Sequence, residues 1–143
     1  MNVETILRAK GANVETVRPD CSVQEAAQKL TQARIGALVV SADGRRIAGI
    51  LSERDIIRQI AAAGAGALAQ RIDQVMVREV ITCAPGDTVN HLMEVMTERR
   101  IRHLPVVDEG LLVGIVSIGD VVKGRIEETE HEAAALRQYI TAG

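Results

Sequence analysis

The sequence predicts a mixed α/β (α+β) fold in which two tandem β-α-β-β-α units pack sheet to sheet as a pseudo-two-fold pair. Three observations favour this fold class. The chain largely repeats itself at a fixed spacing, each copy alternates helical and strand patterns in the same order, and a copy of about sixty residues is too short to bury a comfortable core alone. The 143 residues are 47% apolar and 25% charged, which is a globular composition. Each copy is therefore expected to need the other.

The repeat appears when the sequence is shifted by 66 residues, and by 65 after one residue is lost in a turn. The matched pairs include Thr16 and Thr82, Pro19 and Pro85, Val23 and Val89, Ile35 and Ile101, Leu38 and Leu104, Gly49 and Gly114, Ser52 and Ser117, and Asp55 and Asp120. We predict a first unit over residues 1–66, a second unit over 67–127, and a charged C-terminal helix over 128–143.

Each unit is predicted to contain the same elements in the same order. It opens with a short amphipathic turn, at residues 3–7 and 72–76, followed by a short strand before the matched proline. Apolar residues then recur at i, i+3, i+4 and i+7 from Val23 and from Val89, which is typical of one helix face. The runs "ALVV" and "LPVV" have strand length, and turn residues separate each from a second apolar strand, "IAGIL" or "LLVGIV".

A last helix is predicted to begin at a Ser-x-x-Asp in each unit, within "GILSERDII" and "GIVSIGDVV". The stretch "AAAGAGALAQ" is interpreted as a helix end and a tight link between the units. The stretch "EETEHEAAALRQYI" is interpreted as a charged helix that continues the last one or nearly so.

The Ser-x-x-Asp stretches have two readings. Ser52 and Asp55 nearly form a capping box, which needs no ligand. Alternatively, a carboxylate and a hydroxyl in the first turn of a helix suit a nucleotide, because a carboxylate accepts from both hydroxyls of a ribose and a helix N-terminus favours phosphate. The two roles are compatible, since a capping serine can still face a cleft.

The duplicated unit, with "TVRPDCSVQEAAQKL", "RIGALVV" and "GILSERD" in the first copy, resembles the CBS (cystathionine β-synthase) domain. Two copies in tandem resemble a CBS pair, also called a Bateman module, and the resemblance covers about residues 3–126. It implies a stand-alone regulatory module with no required cofactor. Its ligand would be an adenine nucleotide, with AMP preferred over ADP, ATP or NAD(H), and S-adenosylmethionine in some members. It also implies a disk-shaped homodimer and a protein partner of unknown identity.

The resemblance further implies which residues bind. Asp55 and Asp120 would hold the ribose hydroxyls, and Ser52 and Ser117 would help to hold ribose or phosphate. The remaining residues that we assign to the two clefts are Thr16, Val17, Arg18, Pro19, Ile35, Gly36, Ala37, Leu38, Arg54, Thr82, Cys83, Ala84, Pro85, Arg102, His103, Leu104, Pro105 and Gly119.

The two halves are expected to form unequal sites. Arg102 and His103 stand where the first half has Gly36 and Ala37, and we assign both to phosphate binding. The neighbouring Arg99 and Arg100 are interpreted as a solvated helix end instead. Arg54 has no cationic counterpart in the second motif, and it is left open whether its side chain faces the cleft or solvent.

Other classes of function are disfavoured. A net charge of −2 gives no general attraction to nucleic acid or to an anionic membrane, and a single tyrosine offers no platform for stacking bases. No apolar run approaches the roughly 18 residues of a membrane span, and a cytoplasmic location is expected. The histidines and cysteines lack metal-ligand spacing, and no nucleophile–base arrangement is evident, so we predict neither a metal site nor an enzyme. The alternative is a structural homodimerisation module without a ligand.

Overall fold

The computed structural model describes residues 1–142, and the predicted order of elements is largely present in them. The helices are α1 (Val3–Lys10), α2 (Val23–Ala33), α3 (Glu53–Ala63), α4 (Val89–Arg99) and α5 (Ile118–Ala142), with short 3-10 helices at Gly64–Ala69 and Ile72–Gln74. The strands are β1 (Thr16–Val17), β2 (Ala37–Val40), β3 (Gly49–Ser52), β4 (His103–Asp108) and β5 (Leu111–Ser117). No helix among residues 1–142 is both long and apolar enough to cross a bilayer.

The first sheet has three strands in the order β1-β2-β3, with β1 parallel to β2 and β3 antiparallel to it. The second sheet has only β4 and β5, which are antiparallel with an irregularity between Val106 and Val107. The prediction of a strand at the start of the second unit is thus wrong. Only a single parallel bridge, between Cys83 and Val106, is found there. Pro105 stands where the first sheet has Val39 and has no N–H to donate, so the ladder cannot extend towards residue 81.

The helices begin where side chains cap them. Ser22 and Thr88 accept hydrogen bonds from the backbone N–H three residues on, and so start α2 and α4. Both helices end at an arginine in the left-handed conformation, with φ 55° at Arg34 and at Arg100. The link between the units is confirmed as a helix end followed by a 3-10 turn, and α5 runs without interruption from the second Ser-x-x-Asp to residue 142.

Two hydrophobic cores lie between helices and sheets, and each is completed by the opening segment of the other unit. Val3, Ile6 and Leu7 of α1 pack in the core built from α4, β4, β5 and α5. Ile72 and Met76 pack in the core built from α2, β2, β3 and α3. Each packed body therefore combines most of one sequence repeat with the opening segment of the other repeat. The predicted boundary between residues 66 and 67 describes the sequence repeat and stays a prediction.

Matching backbone hydrogen bonds hold the exchanged segments. In one direction, the Val3 N–H donates to the Asp87 carbonyl at 2.9 Å and the Glu4 N–H donates to the Pro85 carbonyl at 2.9 Å. In the other direction, the Ile72 N–H donates to the Cys21 carbonyl at 2.8 Å, and the N–H of residue 73 donates to the carbonyl of residue 19 at 3.0 Å. The pseudo-two-fold relation thus extends to the connections between units.

The remaining faces of the two sheets are covered as well. Leu38 and Val40 point into the helix-covered core, so Ala37 and Val39 point to the opposite face of the sheet, yet these two are also buried. The ends of the two sheets come close together at this face, because a Cβ built on Gly36 would lie 3.2 Å from the His103 Cε1. This closeness places the strand ends of both units around one cleft.

Candidate ligand-binding cleft

A cavity of about 520 Å³ lies between the two units at the N-terminus of α3. The first unit contributes Gly36, Ala37, Ile50, Ser52, Glu53, Arg54, Asp55 and Arg58 to its lining. The second unit contributes Val77, Glu79, Val80, Ile81, Arg99, Arg100, Ile101, Arg102 and His103. Seven of the residues assigned from the sequence are therefore brought together here, namely Gly36, Ala37, Ser52, Arg54, Asp55, Arg102 and His103.

Asp55 and Ser52 form a complete capping box at the start of α3. The Ser52 N–H and Oγ both donate to Asp55 Oδ2 at 2.9 Å, and the Asp55 N–H donates to Ser52 Oγ at 3.2 Å. The capping reading is confirmed by these bonds. Within residues 1–142, the other carboxylate oxygen, Asp55 Oδ1, has no hydrogen-bond partner, so a half-buried acceptor is left available on the cavity wall.

Five arginines line the cavity: Arg54, Arg58, Arg99, Arg100 and Arg102. Among the described residues none of them lies within 4.0 Å of an acidic group, although other arginines of the chain do form such pairs. Arg99 and Arg100 do end α4, as their interpretation as a helix end requires. That interpretation is incomplete, however, because both also line the cleft. Arg54 lines the same cavity and is also exposed to solvent.

His103 begins β4 and lies at the centre of the charged groups. Burial lowers the pKa of His103 below its ordinary value of 6.5, and the nearby cations Lys10 and Arg102 act in the same direction against the carboxylates Glu53 and Asp120. The imidazole is therefore favoured in its neutral form at neutral pH. It lies close enough to Glu53 at the start of α3 and to Asp120 at the start of α5 for both carboxylates to oppose this lowering of its pKa.

The second Ser-x-x-Asp has the same cap but a different environment. The Ser117 N–H donates to Asp120 Oδ2 at 2.9 Å, and the Asp120 N–H donates to Ser117 Oγ at 3.2 Å. The Lys10 Nζ at the end of α1 donates to the same Asp120 oxygen at 2.7 Å and to the Ile115 carbonyl at 2.8 Å. Burial raises the pKa of Asp120, but the hydrogen bonds from Lys10 and Ser117 outweigh burial and keep it below its ordinary value of 3.8.

The two carboxylates are therefore not equivalent. Asp55 has a free oxygen beside unpaired arginines, whereas Asp120 already holds a lysine of the same chain. The small cavity of about 120 Å³ beside Asp120 is lined by α1 and α5. The expected inequality of the two sites thus has a structural basis in Lys10, which the sequence reading did not assign.

The other residues assigned from the sequence lie outside the cavity beside Asp55. Val17, Leu38, Cys83 and Leu104 are buried in the two cores, and Pro105 is buried too. Thr82 lines a separate cavity of about 490 Å³, beside Arg46 and Arg78. Ile35 lines an open surface cavity of about 540 Å³ next to α3, and Gly119 lines one of about 500 Å³ along α5. Thr16, Arg18, Pro19, Ala84 and Pro85 lie in the segments next to α2 and α4.

Cys83 and Cys21 are both free thiols. Burial raises the pKa of the Cys83 thiol to about 12, and a nearby Asp87 charge acts in the same direction. The hydrogen bond with Glu25, followed by burial, raises the pKa of the Cys21 thiol. Both thiols therefore stay protonated at neutral pH, and neither is activated as a nucleophile.

Sequence reasoning missed several cavity residues. Arg58 follows Arg54 at i+4 on the same helix, so its position on the cleft face was available from the helical period. Val80 and Ile81 lie just before Thr82 in a short apolar stretch, and the spacing of apolar residues in that stretch does not show that these two side chains face the first unit. Lys10 lay beyond reach, because only the exchange of α1 brings it to Asp120.

Comparison with known proteins agrees with this architecture. The family model of the CBS domain matches residues 6–62 and 72–127 of this chain. The chain therefore belongs to the CBS-domain family and carries two CBS domains in tandem. A CBS pair is a regulatory module.

Three relatives illustrate the match. The mitochondrial CBS domain-containing protein CBSX3 of Arabidopsis thaliana is 34% identical over 149 aligned residues, which cover 99% of this chain and 72% of that protein. The crystal structure of a CBS-domain containing protein from Agrobacterium tumefaciens is 46% identical, with a TM-score of 0.84 over 87% of this chain and 99% of the other. A CBS domain pair crystallised in complex with 5′-methylthioadenosine and S-adenosyl-L-methionine is 28% identical, with a TM-score of 0.76 over 86% of this chain and 98% of the other.

Proposed function

We propose that this CBS pair is a non-enzymatic regulatory module that binds an adenine nucleotide in the cleft beside Asp55 and signals to a protein partner. The observation that carries the proposal is the combination, in one cavity, of a carboxylate oxygen without a hydrogen-bond partner and five arginines without an acidic partner within residues 1–142. A nucleotide supplies both complements, because its ribose donates hydrogen bonds and its phosphate accepts them.

Each part of the ligand has a matching part of the cleft. The ribose hydroxyls would donate to Asp55 Oδ1, since Oδ2 is already used by the cap. The phosphate would meet the arginines near the N-terminus of α3, where the helix dipole also favours negative charge. The apolar side chains of Val80, Ile81 and Ile50 provide a surface for the base. AMP fits this division most simply, and ADP, ATP and NAD(H) carry the same adenosine and phosphate groups.

The relative that binds 5′-methylthioadenosine and S-adenosyl-L-methionine supports an adenosine ligand for a CBS pair of this fold. Neither of those ligands carries a phosphate. The five arginines of this cleft therefore favour a phosphorylated ligand here.

The cleft beside Asp55 is proposed as the principal site. A ligand at Asp120 would have to displace the Lys10 ammonium, which makes hydrogen bonds of 2.7 and 2.8 Å at the place where a ribose would be held. Asp55 requires no such displacement. One bound nucleotide per chain is therefore expected.

The module is further proposed to act as a disk-shaped homodimer. Ile57 and Ile60 on α3 and Val122 and Ile126 on α5 are large apolar side chains exposed on the helices of one chain. A second copy would remove these faces from water. The cytoplasmic location stays a prediction, because one relative is mitochondrial.

Thermal unfolding in the presence of AMP, ATP, NADH or S-adenosyl-L-methionine tests the ligand. At a concentration 100 times its Kd, a ligand of the folded state contributes about 2.7 kcal/mol of stability. The unfolding temperature should rise with AMP in wild type and in Asp120→Asn, but not in Asp55→Asn. The two variants weaken matching caps, so Asp120→Asn controls for the loss of the cap. If none of the four compounds raised the unfolding temperature, the alternative of a structural dimerisation module without a ligand would be favoured.

A further inference from the structure

The last helix extends well beyond the second core. α5 has 25 residues, and only its first half contacts the body of the chain. Val121 and Gly124 are buried there, and Ile118 packs against the second core. Asp120 pairs with Lys10, and Glu128 pairs with the N-terminal ammonium of Met1. Every residue from 129 to 142 is exposed. An isolated helix of about fifteen residues is marginal in water, so a helix of this length is expected to gain stability from a partner.

A regular stripe runs along one side of α5. Its positions alternate in steps of three and four residues, as in the seam of a coiled coil, and they are Gly119, Val122, Ile126, Thr129, Ala133, Leu136 and Ile140. The four large side chains of the stripe are between 42% and 66% exposed. Val121 and Gly124 face the second core instead, so the stripe lies on a different side of the helix and is free to meet another molecule.

The charges beside the stripe favour a second copy of this helix as the occupant and, at full overlap of the two helices, a parallel direction. In a parallel pair, the residue just before each a position of the heptad, here positions 126 and 133, meets the residue five positions further on in the other helix. Arg125, which lies 3.5 Å from Glu128 of the same helix, would then also meet Glu130 of the second copy. Glu132 would meet Arg137 of the second copy, so both contacts between copies are between opposite charges. In an antiparallel pair with full overlap, Glu130 would meet Glu130 and Glu132 would meet Glu132, which is unfavourable.

We infer that residues 119–140 of α5 pair with the same segment of a second copy of this chain as a parallel two-stranded coiled coil. The inference rests on the proposed homodimer and adds its orientation. Because the helices are parallel, the two second units lie side by side and both C-termini leave at the same end. Thr129 and Ala133 are small or polar seam residues and limit the strength of the pair. The seam therefore acts together with the exposed apolar side chains of α3, Ile57 and Ile60.

Sedimentation equilibrium of the full chain tests the seam. Leu136→Glu places a charge in the seam, and Ala135→Glu places the same charge on the neighbouring side of the same helix turn. Leu136→Glu should raise the dimer dissociation constant at least about tenfold, while Ala135→Glu should leave it unchanged. Equal dimerisation of the two variants would overturn the inference and leave the proposed homodimer standing. A monomeric wild type would overturn both, and nucleotide binding is measured separately.

Two further variants test the direction. Glu132→Arg alone should weaken the dimer by bringing two arginines together, and adding Arg137→Glu should restore it. Ala133→Cys should form a disulfide between copies under mild oxidation, because identical seam positions face each other only in the parallel pair. Ala134→Cys, off the seam, is the control. No cross-link at residue 133 in a dimeric protein would overturn the parallel orientation.

Discussion

Gly49→Ala tests whether the exchanged opening segments fit as tightly as the packing indicates. A Cβ at Gly49 would lie 2.6 Å from the Met76 Sδ and 2.8 Å from the Val77 carbonyl oxygen, whereas ordinary contacts of such an atom begin near 3.4 Å. Met76 belongs to the segment that the second unit inserts into the first core. The substitution therefore pushes directly on the exchanged segment.

The loss of stability in Gly49→Ala depends on which neighbouring atoms can move away from the added Cβ. The Met76 side chain is flexible, but the Val77 backbone is fixed by two hydrogen bonds of 2.9 Å with Ile50. An overpacked site with a rigid neighbour costs about 2 kcal/mol. For a chain of this length, about 3 °C of unfolding temperature corresponds to 1 kcal/mol, so a decrease of about 6 °C is expected.

The matching glycine gives a graded comparison. A Cβ at Gly114 would lie 2.7 and 2.8 Å from the two Cδ atoms of Leu7, which are the ends of a side chain that can rotate. Gly114→Ala should therefore cost less, about 1 kcal/mol. Gly66→Ala is the control, because no heavy atom lies within 4 Å of its Cβ position. Urea and thermal unfolding measure all three; equal stability of Gly49→Ala and Gly66→Ala, or a larger loss for Gly114→Ala than for Gly49→Ala, would refute the reasoning.

Two further predictions concern charge. Lys10→Met removes the ammonium that binds Asp120, so burial should raise the Asp120 pKa in a carboxyl NMR titration and calorimetry should detect a second AMP site. Arg8→Met, on the same helix, should change neither the pKa nor the number of sites. An unchanged number of AMP sites in Lys10→Met would show that Lys10 does not block the site. The pKa of His103 in the folded state lies below its ordinary value of 6.5, so the unfolded chain protonates this imidazole at a higher pH than the folded chain does. The stability of the wild type should therefore fall as the pH decreases from about 7 towards the folded-state pKa. His103→Gln should flatten this part of the profile in urea unfolding, and an equal slope in both proteins would contradict the assigned role.

The local parts of the fold could be predicted because short-range chemistry determines them. The spacing of apolar residues from Val23 and Val89 predicted α2 and α4, and Ser52 with Asp55 predicted the start of α3, since a cap and a helix face are properties of neighbouring residues. The lost strand near Cys83 was also within reach. Pro105 lacks the N–H that its counterpart Val39 can donate, and the proline is visible in the sequence.

The long-range parts could not be predicted from the same patterns. The apolar turns at residues 3–7 and 72–76 fit either core equally well by their spacing, so nothing local showed that they are exchanged. The pairing of Lys10 with Asp120 depends on that exchange. Arg99 and Arg100 end a helix in a way that satisfies local rules, and only the placement of the other unit brings them to the cleft.

The exchanged segments also limit how the molecule can respond to a ligand. The opening segment of each unit is buried in the core of the other unit and is held there by backbone hydrogen bonds. A hinge motion that opens the cleft is therefore disfavoured, because it would pull both exchanged segments out of their cores. Under the proposed function, a ligand in this cleft would act through the mobility of the arginine side chains and through small shifts at the strand ends. The exchanged segments thus join the two units into one body. Under the proposed function, a response to a ligand would be presented to a partner by the outer surface of the pair and not by a change of angle between the units.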